Sequence, residues 1–211
     1  MWEQLNRIIK DNGAICLFGS EPFSSALRMS NIKQYKYEWK WLKNKPTGFQ
    51  HAPNRPMMKQ EDICVFSPAP MGHVSQLKHK RMCYFPQGVK IKGENIITGK
   101  THGKYLGVRK NQIGKKYVAK TGYPNNLLFY DKETHYNHPT QNPVDLIEYL
   151  IKTYTNEGEI VLDFTSGSGT TAIAAINTNR NYICIEKDKE YYELSKKRIE
   201  EHVNEKQLSL S

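Results

Sequence analysis

Residues 160–190 leave few folds open: IVLDFTSGSGTTAIAAINTNRNYICIEKDKE runs apolar strand, glycine turn, small-residue helix, second strand and acid, in that order. Ile160, Val161 and Leu162 suit a buried parallel strand, and Asp163 ends it on the side where open α/β sheets take their ligands. Gly167 and Gly169 permit a tight turn, after which Thr170 and Thr171 open a helix whose first amides point back at the turn. The second strand, Tyr182 to Ile185, ends in Glu186. That carboxylate follows Gly167 by nineteen residues, near the spacing of ~20 at which an acid accepts hydrogen bonds from ribose hydroxyls. The composite reads as a cradle for a nucleoside cofactor. Without a ligand, the same residues would be a plain strand, turn and helix.

Position along the chain narrows the nucleoside. Gly167-Ser-Gly169-Thr-Thr-Ala172 also satisfies the dinucleotide fingerprint, but a dinucleotide fold needs further strand-helix units after its turn. Here one strand and one helix remain before Ser211, so the rest of the sheet must come from upstream. A nucleoside-triphosphate P-loop is excluded, since no Gly-Lys-Ser/Thr follows the glycines.

The upstream residues supply candidates for that sheet. Trp2, Leu5, Ile8 and Ile9 share a helical face that Asp11-Asn-Gly13 brings to an end, and Ala14 to Phe18 follows as a buried strand. A short helix is expected near Ser24 to Met29, with strands at Tyr37 to Trp41 and Ile63 to Phe66. Val144, Ile147, Leu150, Ile151 and Tyr154 recur at helical spacing; Tyr191, Leu194, Arg198, Ile199 and Val203 line a C-terminal helix, with Tyr191 as core packing. Purely apolar stretches reach about five residues, far short of the ~20 that cross a bilayer, and the N-terminus lacks the apolar core of a secretory signal. Cys16, Cys64 and Cys184 sit in apolar strands and Cys83 stands alone. No pair has metal-ligand spacing, so they read as reduced thiols of a cytoplasmic protein with no metal.

Charge is distributed unevenly. The formal net charge is +10, and all of the excess lies between Pro68 and Asn137, where thirteen lysines and arginines face three acids; elsewhere the two signs balance. Tyrosines and phenylalanines are interleaved with these cations, among them Tyr84, Tyr105, Tyr117 and Phe129. Cations release counterions from phosphates, and aromatic planes pack on sugars and bases, so the stretch suits a nucleic acid better than a bare solvated loop. Charge alone leaves RNA open beside DNA. Short alternating runs at Gly88 to Ile91 and Asn95 to Thr98 indicate strands and turns here.

Two motifs together carry a resemblance. Asp163-Phe-Thr-Ser-Gly-Ser-Gly-Thr-Thr171 resembles the S-adenosylmethionine loop of the beta-class DNA amino-methyltransferases, and His138-Pro-Thr-Gln-Asn-Pro143, about twenty residues earlier, is similar to their H-P-T-Q-K-P motif. The first 67 residues resemble the adenine-modifying members, in Leu17-Phe18-Gly19, in Trp41-Leu42-Lys43 and in Glu61-Asp-Ile-Cys-Val-Phe66. The resemblance implies a permuted, Rossmann-like α/β methyltransferase fold. Residues 1–67 would then be part of the catalytic half, 68–137 a basic target-recognition insertion, and 138–211 the cofactor half. It implies S-adenosylmethionine as cofactor, held by His138, Pro139, Thr140, Asp163, Phe164, Gly167, Gly169, Thr170 and Glu186, with Asp163 orienting the methionine moiety and Glu186 the ribose. It implies duplex DNA as partner, with Lys43, Lys78, Lys80, Arg81, Lys104, Arg109, Lys110, Lys115 and Lys116 as contacts.

Two departures stand out. Family members free the lone pair of the target amine, and hold the flipped base, with an Asp/Asn/Ser-Pro-Pro-aromatic tetrapeptide; in this chain no two of the ten prolines are adjacent. By resemblance, Met1 falls just after the strand that should carry it, so that strand, central in the sheet, is expected to be missing and two backbone edges unpaired. No catalytic residue is therefore assigned, and an upstream polypeptide carrying the motif is a candidate partner. Asn142 also stands where the family usually has lysine. The resulting expectation is a site-specific DNA adenine methyltransferase. The alternatives are a catalytically silent subunit that keeps cofactor and DNA binding, and a nicotinamide-dependent oxidoreductase.

Overall fold

The computed structural model describes residues 1–96, 113–132 and 141–208. The chain divides into two compact units, Met1–Phe85 with Asn126–Ser211, and Pro86–Asn125.

In the first unit α1 (Trp2–Ile8) leads into β1 (Ile15–Gly19), α2 (Phe23–Ser30), β2 (Tyr35–Thr47), β3 (Met58–Phe66) and the short α3 (Val74–Leu77). The second unit holds β4 (Lys90–Ile96) and β5 (Lys116–Thr121). The first unit then resumes with β6 (Leu127–Phe129), α4 (Val144–Tyr154), β7 (Ile160–Asp163), α5 (Thr170–Asn177), β8 (Asn181–Cys184) and α6 (Lys189–Leu208).

Four strands form one sheet in the order β1-β3-β2-β6, with β3 antiparallel to both neighbours and β6 parallel to β2. β3 is central and buried on both faces, which explains its unbroken run Asp62-Ile-Cys-Val-Phe66. Ile63 and Val65 point into one core with Trp39, Trp41, Leu146, Leu150, Ala174 and Ala175. Cys64 and Phe66 point into a second with Leu5, Ile15 and Leu27. The first core ties the sheet to α4 through polar atoms as well: Trp39 Nε1 donates to the Tyr154 hydroxyl at 2.6 Å, and Tyr37 and Tyr154 share a hydrogen bond at 2.9 Å. The buried Asp62 carboxylate between the sheet and α2 takes Arg28 at 2.6 Å and Lys40 at 2.8 Å, so its charge is fully paired.

β7 and β8 make a separate parallel pair, from Ile160 opposite Asn181 to Asp163 opposite Cys184. Among the described residues β1 pairs only with β3 and β7 only with β8, so each keeps an unpaired edge. The expected burial of Ile160, Val161 and Leu162 is therefore corrected. Val161 packs on the core, but Ile160 is 61% exposed and Ile183 of β8 50% exposed. Coverage is one-sided, because among the described residues α4 and α5 lie over the Val161 face and nothing comparable covers the other.

β2 runs well beyond the expected Tyr37 to Trp41, and one strand, Lys90–Ile96, spans much of the region expected to hold two short ones, with a register shift between Ile91 and Gly93. Among the described residues the second unit is the antiparallel pair β4 and β5, whose side chains are exposed except at the half-buried Ala119, with Ile91 at 74%.

Candidate functional site

The turn between β7 and α5 is the best-built polar site in the described chain. Asp163 at the end of β7 uses both carboxylate oxygens to hold it: one accepts the Thr165 amide at 3.0 Å and the other the Thr171 hydroxyl at 2.5 Å. Glu186, just beyond β8, closes it from the other side by accepting the Gly167 amide at 2.7 Å and the Asp188 amide at 2.9 Å. The strand ladder extends into the turn, with the Ile185 amide donating to the Asp163 carbonyl and the Ser166 amide to the Ile185 carbonyl. The two acids picked out by spacing thus meet around one loop, and each braces its backbone.

Gly167 and Gly169 both adopt left-handed backbone, φ +50° and +78°. At Gly169 there is a second reason for glycine: a Cβ would come within 3.1 Å of Ser195 Cβ and 3.2 Å of Ile199 Cδ1, on α6. This glycine is fixed by internal packing as well as by any need for a ligand to approach the backbone. The helix it caps, TTAIAAIN, is made of small residues, and Ala172, Ala174 and Ala175 are buried, which brings α5 close to its neighbours.

A recess opens over this turn, lined by Gln141, Asn142, Asp163, Thr165 to Ser168, Thr170 and Thr171, with Ile147 beneath. Its walls are hydroxyls, amides and one carboxylate. Ser168 and Thr170 are buried there, and Gln141 is buried at 6% exposure. Such a surface offers hydrogen bonds to a polar, zwitterionic group while the helix amides lie beneath it. Among the predicted cofactor residues the structure brings together Asp163, Gly167, Gly169, Thr170 and Glu186; Phe164 sits beside them, 37% exposed. His138, Pro139 and Thr140 lie outside the described residues.

Sequence reading missed Arg198 as part of this site. Its Nη1 donates to the Ser168 carbonyl at 3.1 Å, to the Ser168 hydroxyl at 3.3 Å and to the Thr170 hydroxyl at 3.0 Å. Nothing in the local pattern signals a contact made across about thirty residues. Cys184 sits close behind the turn, where burial, with a smaller contribution from the Asp163 charge, pushes its thiol up to about 12. The half-buried Cys16 thiol is likewise pushed up to about 12, by burial alone, so both stay protonated near neutral pH.

The predicted nucleic-acid contacts are split between the two units. Lys78 and Lys80 are exposed on a short 3₁₀ turn and Arg81 follows it, all in the first unit; Lys115 and Lys116 are exposed in the second, at the start of β5. Lys43 is engaged within the protein, bonded to Glu61 at 2.5 Å and lying 4.7 Å above the Trp41 ring. Lys104, Arg109 and Lys110 lie outside the described residues.

Comparison with known proteins agrees with this architecture. Residues 1–197 match the DNA methylase family. A Type II methyltransferase of Moraxella bovis, M2.MboI, is 46% identical over 70 residues, which are 33% of this chain and 26% of that protein. The match thus spans about a quarter of that relative's length. Among solved structures, the M1.HpyAVI–SAM complex superposes with a TM-score of 0.60 at 24% identity, covering 93% of this chain and 78% of the other. The cytosine-N4-specific PvuII DNA methyltransferase gives 0.56 at 15% identity, covering 93% and 70%. At these identities the structural likeness speaks for the fold.

Proposed function

The chain belongs to the DNA methylase family, and from that premise we propose that it is the cofactor-binding and DNA-binding part of an S-adenosylmethionine-dependent DNA amino-methyltransferase acting on adenine. One observation carries the reading: a glycine turn at the end of β7, clamped between Asp163 and Glu186, beneath a recess walled by buried hydroxyls. The residues present suit the cofactor. Asp163 and the α5 amides address the methionine moiety and Glu186 accepts from the ribose hydroxyls; the family resemblance adds His138, Pro139 and Thr140 to the cofactor residues. When bound, S-adenosylmethionine supplies an activated methyl group. Asn142 in place of the family's lysine lowers the positive charge near the methionine carboxylate and so weakens the affinity.

The choice of adenine rests on the resemblance of residues 1–67 to adenine-modifying members; cytosine N4 is the competing target. DNA is gripped by the basic stretch, with Lys78, Lys80, Arg81, Lys115 and Lys116 on phosphates and Lys104, Arg109 and Lys110 as further candidate contacts.

The chain has no Asp-Pro-Pro-Tyr-like tetrapeptide, and this favours a second polypeptide segment that brings strand and motif together. The open edges of β1 and β7 support the same reading, since an extended segment laid along them would satisfy their backbone groups. A silent subunit that binds but does not transfer is the second reading, favoured by the same missing tetrapeptide. A methyl-transfer assay on duplex DNA, with and without an upstream fragment carrying the motif, separates them. Transfer of methyl to adenine only when the fragment is present supports the proposal; binding with no transfer in either arm supports the silent subunit.

A further inference from the structure

α6 is twenty residues long, yet Ser195 is its one buried residue among those described, so apolar burial does little to fix its position. Polar contacts do that instead. Arg198, His202 and Lys206 recur every four residues on one side of the helix and all reach α5 or the turn that opens it. Arg198 takes Ser168 and Thr170 at the amino end, His202 Nε2 meets Asn177 Oδ1 at 2.7 Å, and Lys206 Nζ donates to the Ile176 carbonyl at 2.9 Å.

The two ends differ physically. Lys206 lies at the carboxyl end of α5, where a cation is favoured by the helix dipole; Arg198 lies at the amino end, where the same dipole opposes it. General helix electrostatics therefore does not explain Arg198. Its partners do: one guanidinium nitrogen reaches three oxygens of residues 168 and 170, both of which wall the recess. On the adjoining turn of α6, Ser195 and Ile199 press against Gly169, the residue between those two.

We infer that Arg198 is a positioning residue for the cofactor turn, holding Ser168 and Thr170 in the shape that S-adenosylmethionine requires without touching the cofactor itself. The inference rests on the proposed cofactor reading. It makes the last helix a working part of the site, joined to it through side chains.

The test compares the full chain with Arg198→Met, Arg198→Lys and, as a control on the same face of α6, Lys206→Met. Loss of a charge-assisted bond to the turn is expected to weaken S-adenosylmethionine binding in calorimetry about tenfold in R198M. R198K, whose ammonium still donates, and K206M are expected to stay within about threefold of the parent. In ligand-free protein, amide exchange over residues 166–171 should quicken in R198M and not in K206M, although both variants lose a contact to α5. Parent-like binding by R198M, or an equal loss in K206M, would overturn the positioning role and leave the cofactor reading intact. If the folded parent itself binds no S-adenosylmethionine, the cofactor reading fails and the role of Arg198 fails with it.

Discussion

Gly169 has little freedom to change. Its left-handed backbone disfavours any side chain, and the space a Cβ would need is taken by Ser195 and Ile199. Gly169→Ala is expected to cost about 2 kcal/mol or more in urea unfolding, from backbone strain plus displacement of α6. A loss below half of that would show that the turn relaxes easily. Asp163 and Glu186 were legible in the sequence because their spacing from the glycines is set by strand and helix lengths, and the structure gives each a bond to the turn. Arg198 was not legible, since helical periodicity identifies a face and says nothing of what lies opposite it.

Among the elements, α1, β1, α4, α5 and α6 came through with small shifts of boundary. Those held by backbone pairing alone did not. β2 continues to Thr47, which pairs with Met58 of β3 after a register shift beyond Leu42, and the polar side chains of that stretch give no periodic signal. The three-residue β6 is a strand because Leu128 finds a buried place beside Trp41. β7 is covered on one face only, and a short apolar run looks the same whether one face is buried or two. Lys10 joins the approach to β1 to the approach to β7, bonding Glu159 at 2.6 Å. The Lys10 hydrogen bond, and after it the Asn156 amide, hold the Glu159 carboxyl below its ordinary value of 4.5. A depressed carboxylate contributes stability above the unfolded value and loses it as pH falls through the folded one. Glu159→Gln should therefore unfold at lower urea than the parent at pH 7, with the gap closing as pH drops below 4.5; a gap independent of pH would mean the ion pair contributes nothing.

For the whole molecule, the formal charge of +10 has its excess in one stretch, and that makes a quantitative claim about the partner. If Lys115 and Lys116 each neutralise a phosphate, replacing both by alanine should reduce the slope of log affinity against log salt by about 2 for duplex DNA. An unchanged slope would remove them from the interface. Family membership, the braced glycine turn and the two strand edges left unpaired among the described residues motivate the proposal that this chain holds methyl donor and DNA while a further segment completes the chemistry. Its central claim is that the turn at 163–171 takes S-adenosylmethionine. Calorimetric titration of the folded parent, beside a Glu186→Ala variant whose Gly167 amide has lost its acceptor, tests it most directly. The account predicts saturable one-to-one binding by the parent and at least about tenfold weaker binding by the variant. Folded parent protein that shows no binding, or a variant that binds as tightly as the parent, would contradict it.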